Sequence, residues 1–183
     1  MRKVVFLDRD GVVNEEVDYL FKPEETILTA TIAEAVKLIH ESGRLAVVVT
    51  NQAGIAKKMY RQADMESVHA RIQTMLLQYG ADAVIDAFYF CPHHPDFTGS
   101  CDCRKPAAGM LLRAKEDFDI DMEGSFMVGD RMSDLNAGLA AGCRASALVL
   151  TGYGANEKSK AAQAGFTVAE NVLEAVKYFF SIA

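Results

Sequence analysis

No apolar stretch in this sequence is long enough to cross a bilayer. The first apolar run, Val4 to Leu7, ends in the charges of Asp8, Arg9 and Asp10. It is too short for a signal-peptide core and far shorter than a membrane span, which needs about 20 apolar residues. The expected location is therefore the cytoplasm. Positive charge is also scarce: 19 Lys and Arg stand against 25 Asp and Glu, a net charge of −6. With no basic stripe, a nucleic-acid partner is disfavoured. There is no internal repeat, no low-complexity segment and no long linker. The 183 residues suit one domain, 1–183, with a substantial core. No exposed apolar stripe is evident, which points to a monomer.

Cysteine is sparse, but three of the four, Cys91, Cys101 and Cys103, fall within thirteen residues together with His93 and His94. In a cytosolic protein such a cluster reads as a metal site before it reads as disulfides. Two tight pairs, one of thiol and imidazole and one of two thiols, suit tetrahedral zinc. Four protein ligands leave no open position, so the zinc would be structural. Spacing alone does not choose between His93 and His94. Cys143 reads as a small core residue.

Short continuous apolar runs at Val4–Leu7, Leu45–Val49, Phe126–Val128 and Ala147–Leu150, with an aromatic and β-branched run at Val84–Phe90, read as buried strands. Helical patterns lie between them. Thr31-Ile32-Ala33-Glu34 predicts a capping box opening a helix that Gly43 ends. Further helices are expected over about 64–79, directly after Pro106, from Ser133-Asp134 to Gly142, and across Val172, Ala175, Val176 and Phe179, with Phe179-Phe180 packing that last helix. Alternation of this kind predicts an α/β fold, a Rossmann-like parallel sheet sandwiched by helices. Two loops, 14–25 and 91–104, are long enough to be functional.

In such a sheet ligands bind beyond the carboxyl ends of the strands. Asp8-Arg9-Asp10-Gly11 follows the first strand directly. Alternation along a strand would aim Asp8 and Asp10 at the crevice and Arg9 elsewhere. Two carboxylates so close favour a cation between them, and Mg²⁺ takes oxygen ligands beside phosphates. The second strand runs into Thr50-Asn51-Gln52-Ala53-Gly54, groups able to bond phosphate oxygens. Arg104-Lys105 stand before a helix, and Gly129-Asp130 with Asp134 follow the fourth run. Each signal alone is weak. Together they put a carboxylate pair, a hydroxyl, a lysine and a further acid on one sheet edge.

In that order the residues resemble the haloacid dehalogenase-like (HAD-like) phosphatases, from Val4 to about Thr151. The resemblance implies Asp8 as nucleophile and Asp10 as general acid and base. Thr50 and Lys105 would hold the transferring phosphoryl group, and Mg²⁺ would sit on Asp8, the Asp10 carbonyl and Asp130, with Asp134 orienting its neighbours. No large cap domain is visible.

The stretch Cys91-Pro92-His93-His94-Pro95, then Cys101-Asp102-Cys103-Arg104-Lys105-Pro106, closely resembles the D-glycero-D-manno-heptose-1,7-bisphosphate 7-phosphatases, whose zinc loop implies Cys91, His93, Cys101 and Cys103 as ligands. Asp18-Tyr19-Leu20 resembles their loop after the first motif. The resemblance implies sugar-bisphosphate contacts from Asp18, Tyr19, Asn51, Gln52 and Arg104, with Arg104 gripping the second phosphate. Ala53 stands where those enzymes commonly carry Ser. Histidinol-phosphate phosphatases share the zinc loop and are the rival reading. A zinc-stabilised binding protein with idle phosphatase residues, and a nucleic-acid-end phosphatase, are more distant rivals. His40 and His69 read as surface or boundary side chains, and Lys57-Lys58 as a solvated helix end.

Overall fold

The computed structural model describes residues 1–183. Six parallel strands form one sheet: β1 (Val4–Leu7), β2 (Leu45–Asn51), β3 (Ala87–Cys91), β4 (Phe126–Gly129), β5 (Ala145–Val149) and β6 (Thr167–Ala169), in the order β3-β2-β1-β4-β5-β6. Eight helices connect or flank them: α1 (Ile32–Glu41), the short α2 (Ala53–Ala56), α3 (Gln62–Leu77), the short α4 (Pro95–Thr98), α5 (Gly109–Phe118), α6 (Met132–Ala141), α7 (Gly154–Gln163) and α8 (Val172–Ser181).

Alternation along the strands builds two cores. Val5 and Leu7 of β1, Val48 of β2 and Phe126 of β4 pack with α1, α3 and α8 on one face. Val4, Phe6, Val47, Val49 and Met127 pack with α5 and α6 on the other. Both faces of β1 are therefore sealed from water, which is why the sequence reads there as an unbroken apolar run. Phe126 and Phe179 stack with ring centroids 4.4 Å apart, and Arg44 lies over Phe180. No helix is long and apolar enough to cross a membrane.

Several local expectations are corrected. Thr31 precedes α1 but makes no cap. Its hydroxyl donates instead to Asn171 Oδ1 (3.3 Å), the side chain that caps α8. Pro106 does not open α5, which starts at Gly109. The short β6 and the polar α7 lack the apolar patterning that would have marked them. His69 is buried, stacked on Phe88 with centroids 4.4 Å apart. Lys57 is not simply solvated, since its ammonium donates to the Tyr19 hydroxyl at 2.6 Å.

Candidate active site

The sheet order reverses between β1 and β4, and there the chain leaving β1 meets the chain leaving β4. The Asp8 N–H donates to Val128 O at 2.9 Å, so the two strand ends are locked together one residue before the carboxylates diverge. Asp8 Oδ1 accepts from the Arg9 N–H and from Lys105 Nζ, each at 2.8 Å. Lys105, itself buried, also donates to Asp134 Oδ1 and Val49 O at 2.8 Å. Burial opposes its charge, but Asp134 and Asp8 outweigh burial and hold the ammonium protonated. Asp134 is thus occupied on both oxygens, because Oδ2 accepts the Arg131 N–H at the start of α6 (3.0 Å).

Asp130 is fully buried. Its Oδ2 accepts the Tyr153 N–H at 2.8 Å, while Oδ1 has no partner in the protein. A buried carboxylate oxygen left unbonded is costly, and it marks where a cation belongs. Burial, with Asp8 and Asp134 nearby, pushes Asp130 up to about 8. Burial, countered by Lys105 and reinforced by Asp134 and Asp10, pushes Asp8 up to about 7. A divalent ion between them would return both to the charged form. The backbone is shaped for this close approach. Gly11 and Gly152 both have positive φ, and a Cβ on either would collide with Asp130 Oδ2. Asp8, Asp130 and Asp134 each offer a buried carboxylate oxygen within 4.8 Å of the others, an oxygen-donor set that could hold Mg²⁺.

Around this centre lies a polar cavity of about 390 Å³, within the range of small-molecule sites. Asp8, Asp10, Asp18, Tyr19, Thr50, Asn51, Gln52, Arg104, Lys105 and Asp134 all line it, while Asp130 is fully buried behind that lining, with a carboxylate oxygen within 4.8 Å of those of Asp8 and Asp134. Thr50 Oγ1 accepts from Gln52 Nε2 at 2.9 Å, which leaves its proton free for a ligand oxygen. Asn51 and Gln52 line the cavity, yet their amides are engaged internally. Asn51 bonds both the N–H and the carbonyl of Lys105 at 3.0 Å. Gln52 bonds Tyr60, Thr50 and Asp10.

The structure also lines the cavity with Arg9, Glu16, Tyr60, Arg131, Ser133 and Tyr153, which sequence reading did not single out. Arg9 corrects an explicit expectation. Residues 8–10 have left the strand, so alternation no longer applies, and the Arg9 guanidinium folds back onto Asp10 instead of pointing away. Burial, then Asp10, pushes Glu16 up to about 7 against the pull of Arg131. The strand-end rule that found Asp130, applied after β5, would have found Tyr153. Arg131 lies over the Tyr153 ring, 3.6 Å from its centroid.

The Cys91, Cys101 and Cys103 sulfurs and His93 Nδ1 lie within 4.8 Å of one another. The sulfur separations are 3.6, 3.6 and 2.9 Å, and His93 Nδ1 stands 3.2 Å from Cys103 Sγ. Tetrahedral zinc with Zn–S bonds of about 2.3 Å asks for sulfurs about 3.8 Å apart, so the set fits zinc with small adjustment. His94 is outside the cluster; its Nδ1 accepts the Asp96 N–H at the start of α4. Arg104 Nη1 donates to His93 O at 3.1 Å, which ties the zinc loop to the cavity wall.

The comparisons with known proteins match this arrangement. A HAD-hydrolase-like family model covers residues 102–175, and the fold and site define the class as a HAD-like hydrolase. The β-heptose-1,7-bisphosphate 7-phosphatase of Yersinia pestis is 39% identical over 163 residues, 86% of each chain. An α-heptose-1,7-bisphosphate 7-phosphatase of Photorhabdus laumondii is also 39% identical over 163 residues, 86% of this chain and 88% of its own. The crystal structure of the D,D-heptose 1,7-bisphosphate phosphatase of B. bronchiseptica, complexed with magnesium and phosphate, superposes with a TM-score of 0.88 at 34% identity over 99% of both chains. The chain belongs to the family of D-glycero-D-manno-heptose-1,7-bisphosphate 7-phosphatases.

Proposed function

We propose that this chain is a Mg²⁺-dependent phosphatase that removes the 7-phosphate of D-glycero-D-manno-heptose 1,7-bisphosphate, with residues 1–183 acting as one monomeric catalytic domain. The observation that carries this reading is the buried Asp8, held by Lys105 and facing the unpartnered oxygen of Asp130. With Oδ1 bonded twice, Oδ2 of Asp8 is the oxygen assigned to attack phosphorus. The bond from phosphorus to the leaving oxygen breaks, and that oxygen takes the proton of Asp10. Water then attacks the aspartyl-phosphate and passes a proton to Asp10. The bond from phosphorus to Asp8 breaks, inorganic phosphate leaves and Asp8 is regenerated. Thr50 donates to the phosphoryl oxygens, and the Lys105 ammonium, its three N–H groups bonded to Asp8, Asp134 and Val49 O, offsets their charge from close by.

Mg²⁺, held by Asp8, Asp130 and the Asp10 carbonyl, supplies charge neutralisation between anionic substrate and carboxylates. Zinc on Cys91, His93, Cys101 and Cys103 orders the loop that carries Arg104. All four cysteines are unpaired, which leaves the thiols of Cys91, Cys101 and Cys103 available to a metal. Asp18, Tyr19 and Arg104 form the sugar site, and Asn51 and Gln52, whose amides are engaged internally, shape the wall behind it. Arg104 and Arg131 on that wall suit a second phosphate, a feature that an amino-alcohol monophosphate would not use. Relatives named for each anomer are equally identical, so the assay must carry both.

Phosphate release with Mg²⁺ is measured on the α- and β-heptose bisphosphates and on histidinol phosphate. The expected result is a higher kcat/KM on one heptose anomer than on histidinol phosphate. Asp8→Asn should lower kcat by about 10⁴ or more. A preference for histidinol phosphate would keep the chemistry and overturn the substrate. An active Asp8→Asn protein would overturn the mechanism.

A further inference from the structure

Arg9 is the largest fully buried side chain of the molecule. Nothing in strand packing calls for it, since a leucine would fill such a site without the cost of burying a charge. Its one salt-bridge partner is the carboxylate of Asp10. Arg9 Nε and Nη2 reach Asp10 Oδ1 at 3.1 and 2.9 Å, and Nη2 also reaches Oδ2 at 3.0 Å. Asn14 Nδ2 adds a bond to Oδ1 at 3.0 Å, and Gln52 Nε2 adds one to Oδ2 at 3.1 Å. Gln52 is itself oriented, because the Tyr60 hydroxyl donates to its Oε1 at 2.6 Å and leaves the NH₂ to face Asp10. Nη2 also donates to Leu20 O at 3.3 Å, and Nη1 stands 3.5 Å from His69 Nε2.

We propose that Arg9, with Gln52 and Asn14, is the positioning device of Asp10, fixing the plane of that carboxyl group so that one oxygen can exchange a proton with the leaving group and then with water. Donors sit on both oxygens, from three side chains on two segments of chain, the turn after β1 and the end of β2, so the carboxylate cannot rotate without breaking contacts on each side. Gln52 thereby acts through Asp10 rather than by touching the sugar. The inference rests on the acid–base role proposed above for Asp10, and the test separates the two.

A sugar alkoxide needs a proton to leave, whereas p-nitrophenolate leaves without one. Single-turnover release of the leaving group is therefore compared for the heptose bisphosphate and p-nitrophenyl phosphate in Mg²⁺-loaded Asp10→Asn, Arg9→Met, Arg9→Lys and Gln52→Leu proteins. Loss of the positioned acid should slow sugar release by about 10²–10⁴ and aryl release by less than about tenfold. Arg9→Met should share the asymmetry of Asp10→Asn, Arg9→Lys should recover part of it, and Gln52→Leu should show it more weakly with KM nearly unchanged. If Arg9→Met slows both esters alike while Asp10→Asn keeps its asymmetry, Arg9 is only structural and the inference fails alone. If Gln52→Leu raises KM and spares kcat, Gln52 is a substrate contact and the inference fails for it. If Asp10→Asn shows no asymmetry, the acid–base reading falls and takes the inference with it. Should the Arg9 variants not fold, Gln52→Leu and Asn14→Leu carry the same comparison.

Discussion

Lys105 shows how one side chain can bind a site together. Its ammonium has three acceptors at 2.8 Å, two of them carboxylates, and all four groups are removed from water. Replacing it by Met leaves Asp8 and Asp134 buried without their cation. Breaking a buried pair in this way costs about 3–5 kcal/mol. Lys105→Met should therefore unfold at much lower denaturant in metal-free buffer, and Mg²⁺ should restore part of the loss by taking over the charge on Asp8. A variant as stable as the parent without metal would show that the lysine serves the substrate alone. The lysine, Asp8, Thr50 and Asp130 were legible because each ends an apolar run or stands beside a helix in one recognisable order. Arg9 was not. The rule of alternation holds only while the backbone is a strand, and the chain turns at residue 9. The internal bonds of Gln52 were hidden for a different reason: its partners, Tyr60 and Asp10, are set by tertiary contact, which leaves no periodic trace.

At the scale of elements, the zinc loop joins β3 to α5 and has little apolar core of its own. Cys91 is buried at the end of β3, and His93, Cys101 and Cys103, the other members of the cluster, are only part-buried. The loop meets the catalytic edge through Arg104, bonded to His93 O, and through the Lys105 backbone, bonded to Asn51. Its order should therefore depend on the metal. Mass spectrometry of the native protein should find one zinc per chain. Cys103→Ser should lose it, melt at a lower temperature and raise KM for the bisphosphate as Arg104 loses its anchor. A native protein with no zinc, or a Cys103→Ser protein with full zinc, would refute the assignment. The loop was legible because thiols and imidazoles paired at this spacing have few other uses. The capping box at Thr31 was misread because its backbone (φ −111°, ψ 4°) is not the extended one from which an N-cap oxygen reaches back to the helix N–H groups, and its hydroxyl is turned to donate to Asn171, far along the chain. The strand β6 is three half-buried residues at the sheet edge, too short for any period to register.

For the molecule as a whole, the doubly wound sheet reverses its strand order, all strands staying parallel, between β1 and β4, so that the first and fourth apolar runs of the sequence meet at one crevice. The sequence pattern implied a parallel sheet but not which strands are neighbours. That order is what moves His69 of α3 into the interior, against Phe88 of β3 and the guanidinium of Arg9. Burial, then the charge of Arg9, pushes His69 down to about 3 from its ordinary 6.5, with Asp10 opposing weakly. Between those values the unfolded chain binds a proton that the folded chain refuses. The stability due to neutral His69 is thus complete above about pH 6.5 and is lost as pH falls towards 3, at up to about 1.4 kcal/mol per pH unit. Other acid-labile groups add their own slopes, so the informative quantity is a difference. Urea unfolding of the protein and of His69→Gln should give a gap that is constant near neutral pH, narrows steadily below about 6.5 and reverses if the glutamine packs well. A gap that stays constant from pH 7 to pH 4 would mean that the imidazole is protonated in the fold and that Arg9 faces another cation, a pairing the buried Arg9–Asp10 arrangement could not sustain.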